Sequence, residues 1–145
     1  MKKIILAVLA FGLALQACAS GDDKPIQVNE LPATAREFIS THFAGTQVML
    51  ATMDKELFDT SYKVVFENSA EVEFDKDGEW KDIEFRNGSV PASIIPEKIK
   101  TYIQAHFPNI EVKEIDRDKH DYEIKLSNGM ELKFDRDFNL IDMDN

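Results

Sequence analysis

The side chains best equipped for chemistry in this sequence are carboxylates and histidines. "FDKDGEWKDIE" (Phe74 to Glu84) sets Asp75, Asp77 and Glu79 around Gly78, and "FDRDFNLIDMD" (Phe134 to Asp144) repeats the pattern with Asp135 and Asp137. Oxygen ligands so spaced raise the question of a calcium loop. An EF-hand needs glycine at its sixth position and a bidentate glutamate at its twelfth. Counted from Asp75, the glycine comes fourth and the twelfth residue is Arg86, while Phe138 replaces the glycine in the second stretch. Asp-Gly between two strand residues, Phe74 and Trp80, is instead a hairpin turn. No metal ligand is assigned.

His42 and His106 each close a helical pattern just before a phenylalanine. Neither has Cys, His or acidic neighbours at zinc-ligand spacing. A histidine in the last helical turn is favoured by the helix dipole and can bond the free carbonyls there. His120 belongs to the loop "RDKHD". The serines form no Gly-x-Ser-x-Gly elbow, and no glycine-rich phosphate loop exists. The carboxylates are read as solvated faces, because acid–base work needs two in one cleft with their pKa values pushed apart. The sequence therefore predicts no catalytic residues, no cofactor and no enzyme; a hydrolase would require a shielded carboxylate pair.

The elements that carry these residues come in two series. "LPATAREFISTHFAGTQV" (Leu31 to Val48) aligns with "IPEKIKTYIQAHFPNIEV" (Ile95 to Val112), and "YKVVFENSAEVEFDKDGEWKDIE" (Tyr62 to Glu84) aligns with "YEIKLSNGMELKFDRDFNLIDMD" (Tyr122 to Asp144). One four-residue difference, in the loop before the tyrosine strand, reconciles the two offsets. The pattern reads as a duplication. Each copy opens with a proline-started helix whose apolar residues recur at helical spacing, such as Ala35, Phe38, Ile39 and Ile99, Tyr102, Ile103. Each then alternates with period two, and Asn68-Ser69 and Asn128-Gly129 read as two-residue turns. The fold class expected is α+β: a tandem repeat of one helix and four antiparallel strands, forming one antiparallel sheet with two helices on one face. The other face is left open.

That open face is the candidate binding surface. It is expected to carry Lys63, Val65, Glu67, Glu71, Glu73, Glu123, Lys125, Glu131 and Lys133, with Trp80 either at its side as an anchor or buried at the junction of the copies.

The first residues, "MKKIILAVLAFGLALQACAS", have the charged, apolar and small-residue zones of a bacterial secretory signal, too short to span a membrane. "LQAC" reads as a lipobox that makes Cys18 the lipidated first residue; the competing cleavage follows Ala19. The boundaries are a signal peptide over 1–19, a tether over 20–30, the first repeat over 31–86, a linker over 87–94 and the second repeat over 95–145, with 31–145 as one domain. Cys18 is the sole cysteine, so the exported domain holds without an internal disulfide. Once Lys2 and Lys3 leave with the signal, 15 basic and 27 acidic residues remain, a net charge of −12. Such a surface repels nucleic acid. The location expected is the periplasm, or the outer membrane of a Gram-negative bacterium with a lipid anchor as the only membrane contact. The partner is an unknown envelope protein or peptide, and the chain is a monomer or weak edge-paired dimer.

Two helix-plus-four-strand copies, the export signal and the "FDKDGEW" turn resemble the PepSY-like proteins of the β-lactamase-inhibitor-protein-like group, small exported or lipid-anchored proteins of Bacteroidetes. The resemblance covers about Leu31 to Asp144. It implies the shared fold and a protein-binding or inhibitory role, and no catalytic residues. The β-lactamase inhibitors themselves carry disulfides this chain lacks, so inhibition of that enzyme is not carried over. The function expected is a non-enzymatic exported binding protein, inhibitor-like; the alternative is a small-ligand or calcium-binding envelope module.

Overall fold

A computed structural model describes residues 23–145. One antiparallel sheet of nine strands runs through it, with each strand paired to its sequence neighbours. The strands are β1 (Lys24–Ile26), β2 (Val48–Lys55), β3 (Thr60–Phe66), β4 (Ala70–Phe74), β5 (Trp80–Phe85), β6 (Val112–Arg117), β7 (Asp121–Leu126), β8 (Glu131–Asp135) and β9 (Leu140–Asp144). Two helices, α1 (Ala33–His42) and α2 (Glu97–His106), precede β2 and β6. The fold is α+β, and no described helix is long and apolar enough to cross a membrane.

Period-two alternation turns into one buried row across the sheet. The register sets Val64 against Val72, Val72 against Ile83, Ile83 against Ile115, Ile115 against Ile124 and Ile124 against Leu132. All six are buried, and full burial of each such side chain is worth roughly 1.5–3 kcal/mol. The helices meet this apolar layer through aromatic rings. Phe43 of the α1 cap stacks on Phe66 at 4.2 Å, Phe38 meets Phe74 edge-on at 5.7 Å, and Tyr102 meets Phe134 edge-on at 5.6 Å.

Local chemistry sets the ends of these elements. Pro32 and Pro96 sit one step earlier than a first-turn reading, as N-caps whose carbonyls accept the Arg36 and Lys100 N–H groups at 3.1 and 3.0 Å. The Asn turns are longer than two residues. Ser69 N–H closes on the Phe66 carbonyl and Gly129 N–H on that of Leu126, each the third residue past its strand (67–69 and 127–129), with Met130 also standing before β8. The last of the three takes positive φ (Ser69 +65°, Gly129 +89°), which produces a type I turn with a bulge. In the Asp turns, Asp75 Oδ1 accepts the Asp77 and Glu79 N–H groups, and Asp135 Oδ1 accepts those of Asp137 and Asn139, all at 2.9 Å.

Two segments differ from the expectation. The stretch read as a tether contains β1, which extends the sheet beyond eight strands by pairing Lys24 with Met53 and Ile26 with Ala51. The linker is anchored: Val90 and Ile94 are buried, and Val90 N–H bonds the Val112 carbonyl at 2.8 Å.

Candidate functional site

Opposite the buried row lie two rows that are polar except for Leu50 and Val65, again fixed by register. One runs Thr52, Lys63, Glu73, Asp82, Asp116, Glu123, Lys133, Asp142 from β2 to β9. The next runs Leu50, Val65, Glu71, Glu84, Glu114, Lys125, Glu131, Asp144. The face is thus acidic in its middle, where the halves meet, and mixed towards its sides. Like charges placed directly opposite one another are destabilising. Here Asp82 opposes Asp116, and Glu84 opposes Glu114.

The cations are already engaged at the sides. Lys63 bonds Glu71 at 2.9 Å, Lys125 bonds Glu114 at 3.0 Å, and Lys133 bonds Asp121 at 3.2 Å. Each partner carboxylate, by its hydrogen bond first, holds its lysine above the ordinary range. Arg86 reaches Glu71 and Glu84, and Lys81 reaches Glu73. Among the described residues, Asp82, Asp116 and Glu123 have no ion-pair partner within 4.0 Å. Asp82 Oδ1 is buried without a hydrogen bond. Burial first, then the charges of Glu114 and Asp116, push the Asp82 carboxyl from 3.8 up to about 7. Burial and the Glu123 charge also raise Asp116. A shallow hollow of about 140 Å³ lies beside them, lined by Glu114, Asp116, Glu123, Lys125 and Glu131.

Of the expected surface residues, Lys63, Val65, Glu71, Glu73, Glu123, Lys125, Glu131 and Lys133 fall on these two rows. Glu67 lies past the end of β3, where its carboxylate accepts the Gln47 N–H at 3.1 Å. Trp80 is a correction. It is only 8% exposed and so cannot serve as a surface anchor. A bulge after Glu73 pairs it with Phe74 on the apolar side, and Arg117 seals it, with the guanidinium 3.8 Å over the ring and Nε donating to the Trp80 carbonyl at 2.7 Å. Cys18 lies outside the described residues.

The sequence reading missed the centre of the face: Asp82, Glu84, Glu114 and Asp116. Their alternation with Ile83, Phe85 and Ile115 was a signal within reach. Their proximity was not, because it requires β5 to pair with β6 across α2. The histidines resolve separately. His106 Nδ1 lies 2.9 Å from the Tyr102 carbonyl, the last-turn contact expected, while His42 Nδ1 lies 3.2 Å from Ser93 Oγ. Among the described residues no group of three or more His, Cys, Asp or Glu is arranged to hold a metal ion.

A single meandering sheet of nine strands, with helices preceding β2 and β6 and carboxylates paired across its middle, defines a small α+β protein. The chain belongs to the PepSY-like family, whose model, described as "Putative beta-lactamase-inhibitor-like, PepSY-like", matches residues 60–142. No curated protein matches it. Among solved structures it is similar to a "putative periplasmic protein from DUF2874 family" of Bacteroides vulgatus, at 50% identity over 87% of this chain and 99% of that one, with TM-score 0.84. A "putative calcium-regulated periplasmic protein" of Bacteroides thetaiotaomicron is also 50% identical, over 86% of this chain and 98% of that one, with TM-score 0.84. A second Bacteroides vulgatus protein, described as periplasmic and of unknown function, is 37% identical over 85% and 99%, with TM-score 0.80. These descriptions support an exported protein.

Proposed function

We propose that the chain is a non-enzymatic, lipid-anchored envelope protein whose open sheet face holds a protein or peptide partner rich in basic side chains, in an inhibitor-like role. The observation that carries this reading is the row Asp82, Asp116, Glu123. Its carboxylates lack cations among the described residues, and one oxygen is shut from water with no partner. Burying an unpaired carboxylate costs stability, and a basic partner laid across β5–β7 would recover that cost. The sites include Lys63, Val65, Glu71 and Glu73 on one side and Lys125, Glu131 and Lys133 on the other. The two halves are read as tandem copies with both helices over one face. In support, bulges recur at Val48/Leu50 and Val112/Glu114, and again after Glu73 and Lys133. The test is capture from envelope extract with the purified protein, comparing wild type with Asp116→Asn plus Glu123→Gln. Recovery that falls with salt and with the double variant is expected; recovery of nothing at any salt concentration refutes the reading.

A second reading follows from the relative described as calcium-regulated. No three carboxylates stand together as a preformed site among the described residues, so calcium would have to draw Asp82, Asp116 and Glu123 together; the Asp75 turn is the poorer candidate, because Asp75 Oδ1 already accepts two backbone N–H groups. Millimolar calcium then raises the melting temperature, and Asp116→Asn removes the rise while Asp77→Ala does not.

A further inference from the structure

We propose that the tip of the β2–β3 hairpin, Leu57-Phe58, is a lipid-surface contact that docks the anchored protein onto the bilayer. The inference rests on the lipid-anchor reading above. Its own observations are three. First, the four-residue difference between the halves falls entirely in this hairpin. In the second half, Arg117 pairs with Tyr122 and the chain turns at once. In the first, the equivalent pair Met53 and Tyr62 is followed by two more, Asp54 with Ser61 and Lys55 with Thr60, before the turn. At about 3.4 Å per residue, the tip therefore projects some 7 Å beyond its counterpart.

Second, the added tip is apolar and fully presented. Leu57 is 87% exposed and Phe58 95%, the highest values among the exposed large hydrophobics. The turn is held by Glu56 N–H on the Asp59 carbonyl at 2.9 Å and by Asp59 Oδ1 accepting the Thr60 N–H at 2.8 Å. A rigid tip loses little freedom on insertion.

Third, the described chain begins at the same end of the sheet. β1 runs antiparallel to β2 and pairs Lys24 with Met53, so the first described residues lie at the hairpin-tip end of the sheet. Lys24 lies six positions after Cys18, a reach of at most about 21 Å. Leu57 lies four residues beyond Met53, about 13 Å along the hairpin. An anchor at Cys18 thus keeps the projecting tip within reach of the membrane. Glu56 and Asp59 flank the tip, which favours a zwitterionic surface over an anionic one.

The experiment uses the mature protein purified from its membrane, carrying Phe58→Trp, in phosphatidylcholine vesicles with and without brominated acyl chains. Wild type supplies the Trp80 baseline. Intact mass, measured on the same sample, reports acylation separately. The expected result is an acylated chain whose added emission is blue-shifted and lost on bromination. An acylated chain whose added emission stays red and unquenched overturns the hairpin contact. A mature chain without acyl mass overturns the proposal through the anchor instead, and the mass distinguishes the two failures.

Discussion

Replacing Asp82 with asparagine should make the protein more stable at alkaline pH and leave it nearly unchanged in acid. Asp82 opposes Asp116 across β5–β6, has one buried oxygen without a partner, and holds its proton up to about 7 against an ordinary 3.8. If the charge were wholly shut away from water, that displacement would correspond to about 4 kcal/mol. Solvent still reaches this carboxyl, so about 1–2 kcal/mol is the expected share. A folded-state value above the unfolded one means both states hold the proton below about pH 4, where no penalty exists. The penalty grows as pH rises from about 4 to 7 and is complete above that. Asparagine keeps the shape and never ionises. For a domain of this size about 1 kcal/mol corresponds to roughly 3–5 °C. The advantage of Asp82→Asn, followed by thermal denaturation, should therefore widen by roughly 3–10 °C between about pH 4 and pH 8. An advantage that does not change with pH, or a variant less stable than wild type at pH 8, would refute the account of a strained carboxylate row.

Gly78→Ala should cost about 2–5 kcal/mol: about 1–2 for positive φ and about 1–3 for overpacking. Gly78 has φ +84°, and an added Cβ would lie 2.8 Å from both Ala35 N and Pro32 Cβ. Gly129→Ala, at φ +89° with nothing within 4 Å, should pay only the first part; equal losses in chemical denaturation would contradict the packing argument. Arg117→Ala uncovers Trp80, the only tryptophan, and should cost about 1–2 kcal/mol with a red shift in its emission. Unchanged emission would mean that the guanidinium does not shield the ring. Leu57→Ser with Phe58→Ser should leave the melting temperature within about 1 °C, because exposed side chains contribute little to folding. A larger drop would show that the tip packs against the body.

The parts of the fold legible in the sequence were those with local causes. The helix at Ala33–His42 follows from Pro32 and the spacing of Ala35 and Ile39, and the strand faces follow from alternation such as Tyr62, Val64 and Phe66. β1 was not legible: Lys24-Pro25-Ile26 is too short to alternate and carries a proline, tolerated because this is an edge strand. Trp80 was ambiguous because a single bulge decides its face, and the arginine that covers it comes from the other half of the chain. Asp82 and Asp116 look like ordinary solvated carboxylates until β5 and β6 are brought together. Eight of the expected surface residues could be placed by alternation alone, but the strained centre depends on a pairing between residues 34 apart.

The strictly sequential order of the strands also bears on how quickly the molecule assembles. Each ladder except β1–β2 and β5–β6 joins strands separated by a short turn, so most of the sheet closes through small loops at little entropic expense. A polypeptide emerging amino end first can zip up hairpin after hairpin as it appears. The slow step left to it is swinging α2 across, which brings two rows of negative charge face to face.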